Sequence, residues 1–369
     1  MTKKIATLCL LLSGATALAA QGLLEKGVAA EGQGLAELAE GYYRRAADTS
    51  ATARKRLGLL LEGREHFGEA ARWLASSDTS AEALAHLATC QCELKRWNAA
   101  RKTAERAIEA ADTADHQNRS LAMATLGLTH CVAENYSEAL AWATKATDEN
   151  PQAARPLNVL GIIRFRQHND NEAIQIFRRA IKADPNNIDA HFNLGAMYCY
   201  RNHPDLAIST LKNGLKVQRN SIRLIYCLGW AYLLKGDDKA AIECLETTLR
   251  YDSSYVDAYL RLGDIHFNKS DFNRAVAYYR MACKLAPQNS EAFRLIGRAY
   301  TEQRDYPKAL RSYQQAVDID KRDAETYCRI AELYALQKQA AREKANYRRA
   351  AKLGHTGAQK WCTQRNIAY

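Results

Sequence analysis

The chain has 369 residues, a formal net charge of +11 and an isoelectric point near 9.1, with 47% hydrophobic and 25% charged residues. These are the proportions of a folded protein that faces water, and six prolines without a Gly/Ser-rich stretch argue against a long flexible linker. Lys and Arg are spread along the length, with no compact basic block and no nucleic-acid-binding motif, so the charge reads as a solvated helical surface.

In chain order, residues 1–20 come first. Lys3-Lys4 precede an apolar run from Ile5 to Leu12 that continues to Ala20, and Ala17-Leu18-Ala19 is a small-x-small site. Charged, then apolar, then small is the order of a secretory signal peptide, with cleavage expected after Ala19 or Ala20. The run is short of the about 20 residues that span a bilayer comfortably. An exported, periplasmic protein is therefore expected, with an inner-membrane anchor by an uncleaved signal as the alternative.

Residues 21–119 read as divergent helical units. Gly27, Ala39, Tyr43 and Ala46 suggest a unit starting near 20; Leu57-Gly58 and Ala70, one near 51; Leu87-Ala88, Ala100 and Ala107, one near 81. Steps of 31 and 30 residues imply clipped second helices, and a step of 39 to the next unit puts about five extra residues around Asp112 to Asn118.

From 120 to 353 the pattern becomes regular. Leu/Ile-Gly pairs end at Gly127, Gly161, Gly195, Gly229, Gly263 and Gly297, each 34 residues after the last. A fixed period of that length signifies a stacked array of like units, not one globular core. Twelve residues after each glycine stands alanine (Ala139, Ala173, Ala207, Ala241, Ala275, Ala309). Four further on stand Ala143, Phe177, Leu211, Leu245, Tyr279 and Tyr313. An aromatic or His follows most glycines by three: His130, Tyr198, Tyr232, His266, Tyr300. Small residues at a helix crossing let two backbones approach, the aromatic fills space between units, and Pro151, Pro185 and Pro287 stop the second helix. A seventh unit starts near 324, with Glu343 where the crossing alanine should be. Residues 354–369 are expected to form a capping helix with Trp361 laid on the last unit.

This pattern resembles the tetratricopeptide repeat family, strongly from 120 to 323 and weakly at both ends. The resemblance implies an all-α fold, a right-handed superhelix (α-solenoid) of stacked helix-turn-helix hairpins whose first helices line a concave groove. Carried over residue by residue, the family's groove positions fall on Asn158, Arg166, Phe192, Asn193, Tyr200, Arg223, Tyr226, Trp230, Arg261, Arg294 and Arg298, with Arg155, Asp189, Phe165, Cys199, Asp264 and Arg329 at further groove positions. The middle of the groove is aromatic and the later units are basic. Aromatics and Arg anchor interfaces, so a partner segment with apolar side chains followed by acidic groups suits this surface. The competing assignment packs Phe192, Tyr226 and Trp230 between helices. The family's carboxylate clamp is not matched, because Phe192-Ala196 and Tyr226-Trp230 stand at its Lys/Asn positions. The asparagine ladder of its sugar-transferase members is not matched either, Asn193 standing without its fellows.

Catalytic signatures are missing: no phosphate-binding Gly-x-x-x-x-Gly-Lys-Ser/Thr loop, no His-Glu-x-x-His and no Gly-x-Ser-x-Gly occurs. His86 and Cys90 share a helix face, but Cys92 points elsewhere, and metal ligation needs three or four convergent groups; no metal or cofactor is expected. Nine cysteines lie beyond the expected signal, scattered as small apolar residues would be, an uneasy fit with an oxidising compartment. The expected function is a non-catalytic scaffold that holds a partner protein or peptide in envelope assembly or secretion, with no nucleic acid and no stable membrane insertion. The alternatives are an accessory module of an envelope enzyme, possessing a redox thiol, and a binder of an anionic polymer.

Overall fold

The structure, a computed structural model, describes residues 18–369. The expected export signal falls almost wholly on residues 1–17, outside the described residues. The described residues are all-helical, without strands, and separate into two compact units, 18–197 and Tyr198–Tyr369.

The first unit holds α1 (18–32), α2 (Ala36–Ala46), α3 (Ala51–Gly63), α4 (Phe67–Ala75), α5 (Ala81–Glu93), α6 (Trp97–Ala110), α7 (His116–Val132), α8 (Tyr136–Glu149), α9 (Ala154–Arg166), α10 (Asp170–Ala183) and most of α11 (Ile188–Tyr200). The second holds α12 (Pro204–Val217), α13 (Ile222–Lys235), α14 (Asp238–Tyr251), α15 (Val256–Asn268), α16 (Phe272–Leu285), α17 (Ser290–Glu302), α18 (Tyr306–Ile319), α19 (Ala324–Leu336), α20 (Ala340–Lys352) and α21 (Thr356–Gln364). Within each unit a helix packs on its chain neighbours. First helices of successive repeats also touch, as α5 does α7 and α7 does α9. This is the packing of an α-solenoid, in which each repeat buries its apolar face against the next.

Each hairpin is closed by one device. The first helix ends in a residue with left-handed backbone, and a long backbone bond then satisfies an orphan carbonyl: Asn135 N donates to His130 O (3.0 Å) and Asp305 N to Tyr300 O (2.9 Å). Gly34 and Gly236 hold the left-handed position in two hairpins; Glu65, Lys95, Glu134, His168, Asn202, Ser270, Arg304 and Lys338 hold it in eight. In several hairpins an aspartate then caps the second helix. Asp237, Asp271 and Asp305 each accept from the backbone N–H three residues on, at 3.1, 3.3 and 3.2 Å, a contribution of about 1 kcal/mol per cap.

The crossing of the two helices explains the glycine. Ala139, Ala173, Ala207, Ala241, Ala275 and Ala309 are fully buried. The bulky residue four further on lies over the glycine of its own repeat: a Cβ on Gly161 would stand 2.6 Å from Cε1 of Phe177, and one on Gly297 2.6 Å from Cδ1 of Tyr313. The ring thus fills the hairpin's interior. Where that residue is Ala143, the backbone itself comes in, and a Cβ on Gly127 would meet Ala139 O at 3.1 Å and Ala143 N at 3.2 Å.

The irregular repeats differ in helix length. Helices α2 and α4 have 11 and 9 residues, against 14 in α6, α8 and α10. The extra residues before Gly127 mostly extend a helix rather than a loop: α7 has 17 residues where α9 has 13. At the other end, α21 buries Ala358 and Cys362 against Cys328, Ala350 and Ala351, and Trp361 stacks on Tyr347 with ring centroids 4.2 Å apart.

Candidate functional site

In the second unit the first helices α13, α15, α17 and α19 carry a row of aromatic rings and arginines. Tyr226 and Trp230 stand four residues apart on α13, hence on one ridge. Arg261 of α15 reaches both: it hydrogen-bonds the Tyr226 phenol, and its guanidinium carbon lies 5.4 Å from the Trp230 ring centroid. Tyr226 also leans on Tyr255 at 4.8 Å. One repeat on, the Arg298 guanidinium lies 4.2 Å from the centre of Phe267. Such stacks help hold a cation in place and contribute about 0.5–2 kcal/mol each.

Between these two stacks sits Asp264. Its Oδ1 accepts from the buried Tyr279 hydroxyl at 2.8 Å, and Arg261 Nη1 is 3.9 Å from Oδ2. Burial raises its carboxyl above the usual range, against the opposing pull of Tyr279 and Arg261. Beyond Arg298 opens a cavity of about 430 Å³, lined among others by Arg294, Arg298, Tyr313, Glu325, Arg329 and Leu336. Arg294 pairs with Glu291 at 3.6 Å, and Arg329 with Glu325 at 2.8 Å and Glu332 at 3.1 Å. The walls are charged in both senses, and Leu336 is 61% exposed.

The remaining groove candidates fall as follows. Tyr200 is exposed and Arg223 half-buried in the second unit; in the first, Arg166 is exposed and Phe192 half-buried. Asn158 is buried, and its Oδ1 accepts from Asn193 Nδ2 at 2.9 Å, so Asn193 does have one asparagine fellow. The first unit's counterpart face is ionic rather than aromatic. Arg155 faces Glu93 at 3.3 Å and Asp189 at 3.7 Å, and His86 Nδ1 lies 2.5 Å from Glu62.

Asp264 and Arg329, both at groove positions of the repeat, take part in the site, and Phe267 joins them as a residue the sequence reading did not name. Phe267 occupies the same repeat position as Phe165, so the period itself could have found it. The cross-helix partner of Asp264, Tyr279, could not be found that way, since it sits on the second helix and reaches back past Gly263.

The thiols offer no reactive centre. Cys90, Cys92, Cys131, Cys199, Cys227, Cys328 and Cys362 are buried, Cys244 and Cys283 half-buried, and none of the nine forms a disulfide. Burial pushes the Cys92 thiol up to about 12 and those of Cys244, Cys283 and Cys328 to about 11, the opposite of what a nucleophilic cysteine requires. Among the described residues no group of three His, Cys, Asp or Glu is placed to hold a metal ion, and no helix is long and apolar enough to cross a membrane.

The fold and its interaction-type face define a helical-repeat solenoid. Family models named TPR repeat match residues 161–199 and 297–338, and one named tetratricopeptide repeat matches 226–290. The chain is a tetratricopeptide-repeat protein. Among solved structures it is similar to the APC/C hetero-tetramer Cut9–Hcn1, with TM-score 0.51 and 14% identity over 96% of this chain and 94% of that one, a likeness of fold. MamA matches at 26% identity and TM-score 0.39, over 45% of this chain and 97% of its own. YrrB, a TPR protein with an unusual peptide-binding site, matches at 21% and 0.37, over 48% and 91%. No curated protein matches the sequence.

Proposed function

We propose that the chain is a non-catalytic interaction scaffold that holds an extended segment of a partner protein on the first-helix face of its second unit. The observation that supports this is the pair of arginine–ring stacks, Arg261 on Trp230 and Arg298 on Phe267, beside the 430 Å³ cavity. A stacked guanidinium keeps donors available to a carboxylate at little entropic cost. The rings next to it supply apolar area to desolvate. The occupant read from this chemistry is a segment with apolar side chains followed by acidic groups. Arginine sets its orientation and association rate, and the rings set its dwell time.

The site of action in this reading is the bacterial envelope, in assembly or secretion, on the strength of the charged, apolar and small-residue order of residues 1–20. The test is affinity capture from the native envelope followed by mass spectrometry, with Tyr226→Ala/Trp230→Ala run in parallel. The double variant should keep its helix content and lose the captured protein. Equal recovery by both proteins overturns the assignment of the face.

A further inference from the structure

The net charge is not evenly distributed once acids are counted with bases. Residues 338–369 contain eight Lys and Arg against the single acid Glu343, so +7 of the formal +11 lies in the last 32 residues. The apparent even spread of cations along the sequence conceals this, because what changes near the end is the supply of carboxylates.

The structure places these cations on one surface. On α20, Lys344, Arg348 and Lys352 follow at intervals of four and form a single ridge. Arg342 and Arg349 flank it, resting on the rings of Tyr334 at 5.5 Å and Tyr327 at 5.8 Å. Lys360 of α21 adds to the same end of the array. All eight are exposed, and none is ion-paired with a described carboxylate. Three exposed lysines elsewhere in the second unit do find an acid: Lys235 with Asp205 at 2.8 Å, Lys269 with Asp238 at 3.2 Å, Lys308 with Asp305 at 2.6 Å. The opposite side of α20 is anchored by the buried Ala350 and Ala351, so the ridge must face outward.

We propose that the outward ridge of α20 is an electrostatic docking surface for an anionic lipid bilayer, holding the chain against the headgroups without insertion. The exposed positions between its cations are Ala340, Ala341 and Ala345. The one amide between them, Asn346, is turned onto the Arg342 carbonyl at 2.8 Å, and the Tyr347 ring is already stacked on Trp361, so neither is presented outward to read or stack on a base, as single-strand binders require. No apolar side chain of the ridge is large enough to enter hydrocarbon. A surface with charge and little relief suits a planar partner with the same properties. Each Lys or Arg near such a plane strengthens adsorption, and salt weakens it.

The experiment is co-sedimentation of the full chain with vesicles of phosphatidylcholine alone, or of phosphatidylcholine and phosphatidylglycerol in equal parts. Binding is expected only to the anionic vesicles, falling as salt rises. Lys344→Glu/Arg348→Glu/Lys352→Glu should lower the partition coefficient by about a hundredfold or more at low salt. The corresponding triple Gln variant, which leaves the ridge solvated, should move in the same direction. Tyr226→Ala/Trp230→Ala should bind vesicles like the unaltered chain, which separates this surface from the groove. Three outcomes overturn the proposal: equal binding to neutral vesicles, unchanged binding by a folded triple variant, or retention of duplex DNA or an anionic polysaccharide without retention of the anionic vesicles.

Discussion

Gly263→Ala tests the packing logic of the repeat at one atom. The added Cβ would stand 2.6 Å from Cδ1 and 2.9 Å from Cζ of Tyr279. That ring cannot swing aside: it is 1% exposed, and its hydroxyl is tied to Asp264 at 2.8 Å. Overfilling a packed interior costs about 1–3 kcal/mol, while replacing a mid-helix glycine by alanine returns up to about 1 kcal/mol of backbone entropy and propensity. The net expectation is a loss of about 1–2 kcal/mol, centred on α15 and α16. Two other glycines calibrate it. At Gly229 the nearest atom would be 3.1 Å away, on the Leu245 side chain, so the loss should be smaller. At Gly41, inside α2, nothing lies within 4 Å, so Gly41→Ala should stabilise by about 0.5–1 kcal/mol. Urea titration by far-UV circular dichroism gives the ranking, and hydrogen exchange shows where the loss falls, a necessary check in an array whose repeats can open separately. A Gly263→Ala protein at least as stable as the parent, or a Gly41→Ala protein that loses more than it, would refute the reasoning.

Three further outcomes are expected. The raised thiols make the fold alkali-sensitive: protonated when folded and free to ionise when unfolded, they stabilise fully below about pH 8.5, and that support is lost as pH rises towards their folded values of about 11–12. Stability should fall from pH 9 upward, by about 2 kcal/mol at pH 10 for the buried Cys92, with the melting temperature falling alongside, and Cys92→Ala should flatten the slope. Asp264 has the reverse standing at neutral pH, since its raised carboxyl opposes folding once ionised; Asp264→Asn should raise the melting temperature at pH 7 and change it little at pH 4, and a drop at pH 7 would contradict this. Thiol-directed reagents should reach the seven buried cysteines only after denaturation, Cys244 and Cys283 reacting first, and fast labelling of any of the seven in the native protein would contradict their burial.

The register of the array was legible because glycine, alanine and a bulky residue must recur together wherever two helices cross closely. Helices α9, α11, α13, α15, α17 and α19 begin at 154, 188, 222, 256, 290 and 324, the same 34-residue step that separates the glycines. Less legible was the use made of the bulky residue: spacing shows that Phe177 and Tyr279 recur, but not that their rings occupy the volume their own glycines leave open. At the site, periodicity located Tyr226, Trp230, Arg261 and Arg298. It could not show that the two arginines lie on rings contributed by the preceding repeat, because stacking depends on how long side chains fold back over a surface. The acid-poor end escaped notice for a simpler reason. Cation density alone is nearly uniform, and an unbalanced surface emerges only when missing carboxylates are counted.

The hairpin turns have a consequence for how this protein can change. Eight of them hold a residue with a Cβ, Glu65 and Arg304 among them, in a backbone region where a Cβ is disfavoured by about 1–2 kcal/mol. Gly34 and Gly236 show that the turn closes equally well without one. Every such turn is therefore an unspent reserve, open to glycine one at a time, and independent of both the groove and the basic ridge. A lineage of this chain could accept a damaging change in its binding face and recover the lost stability at a distant bend.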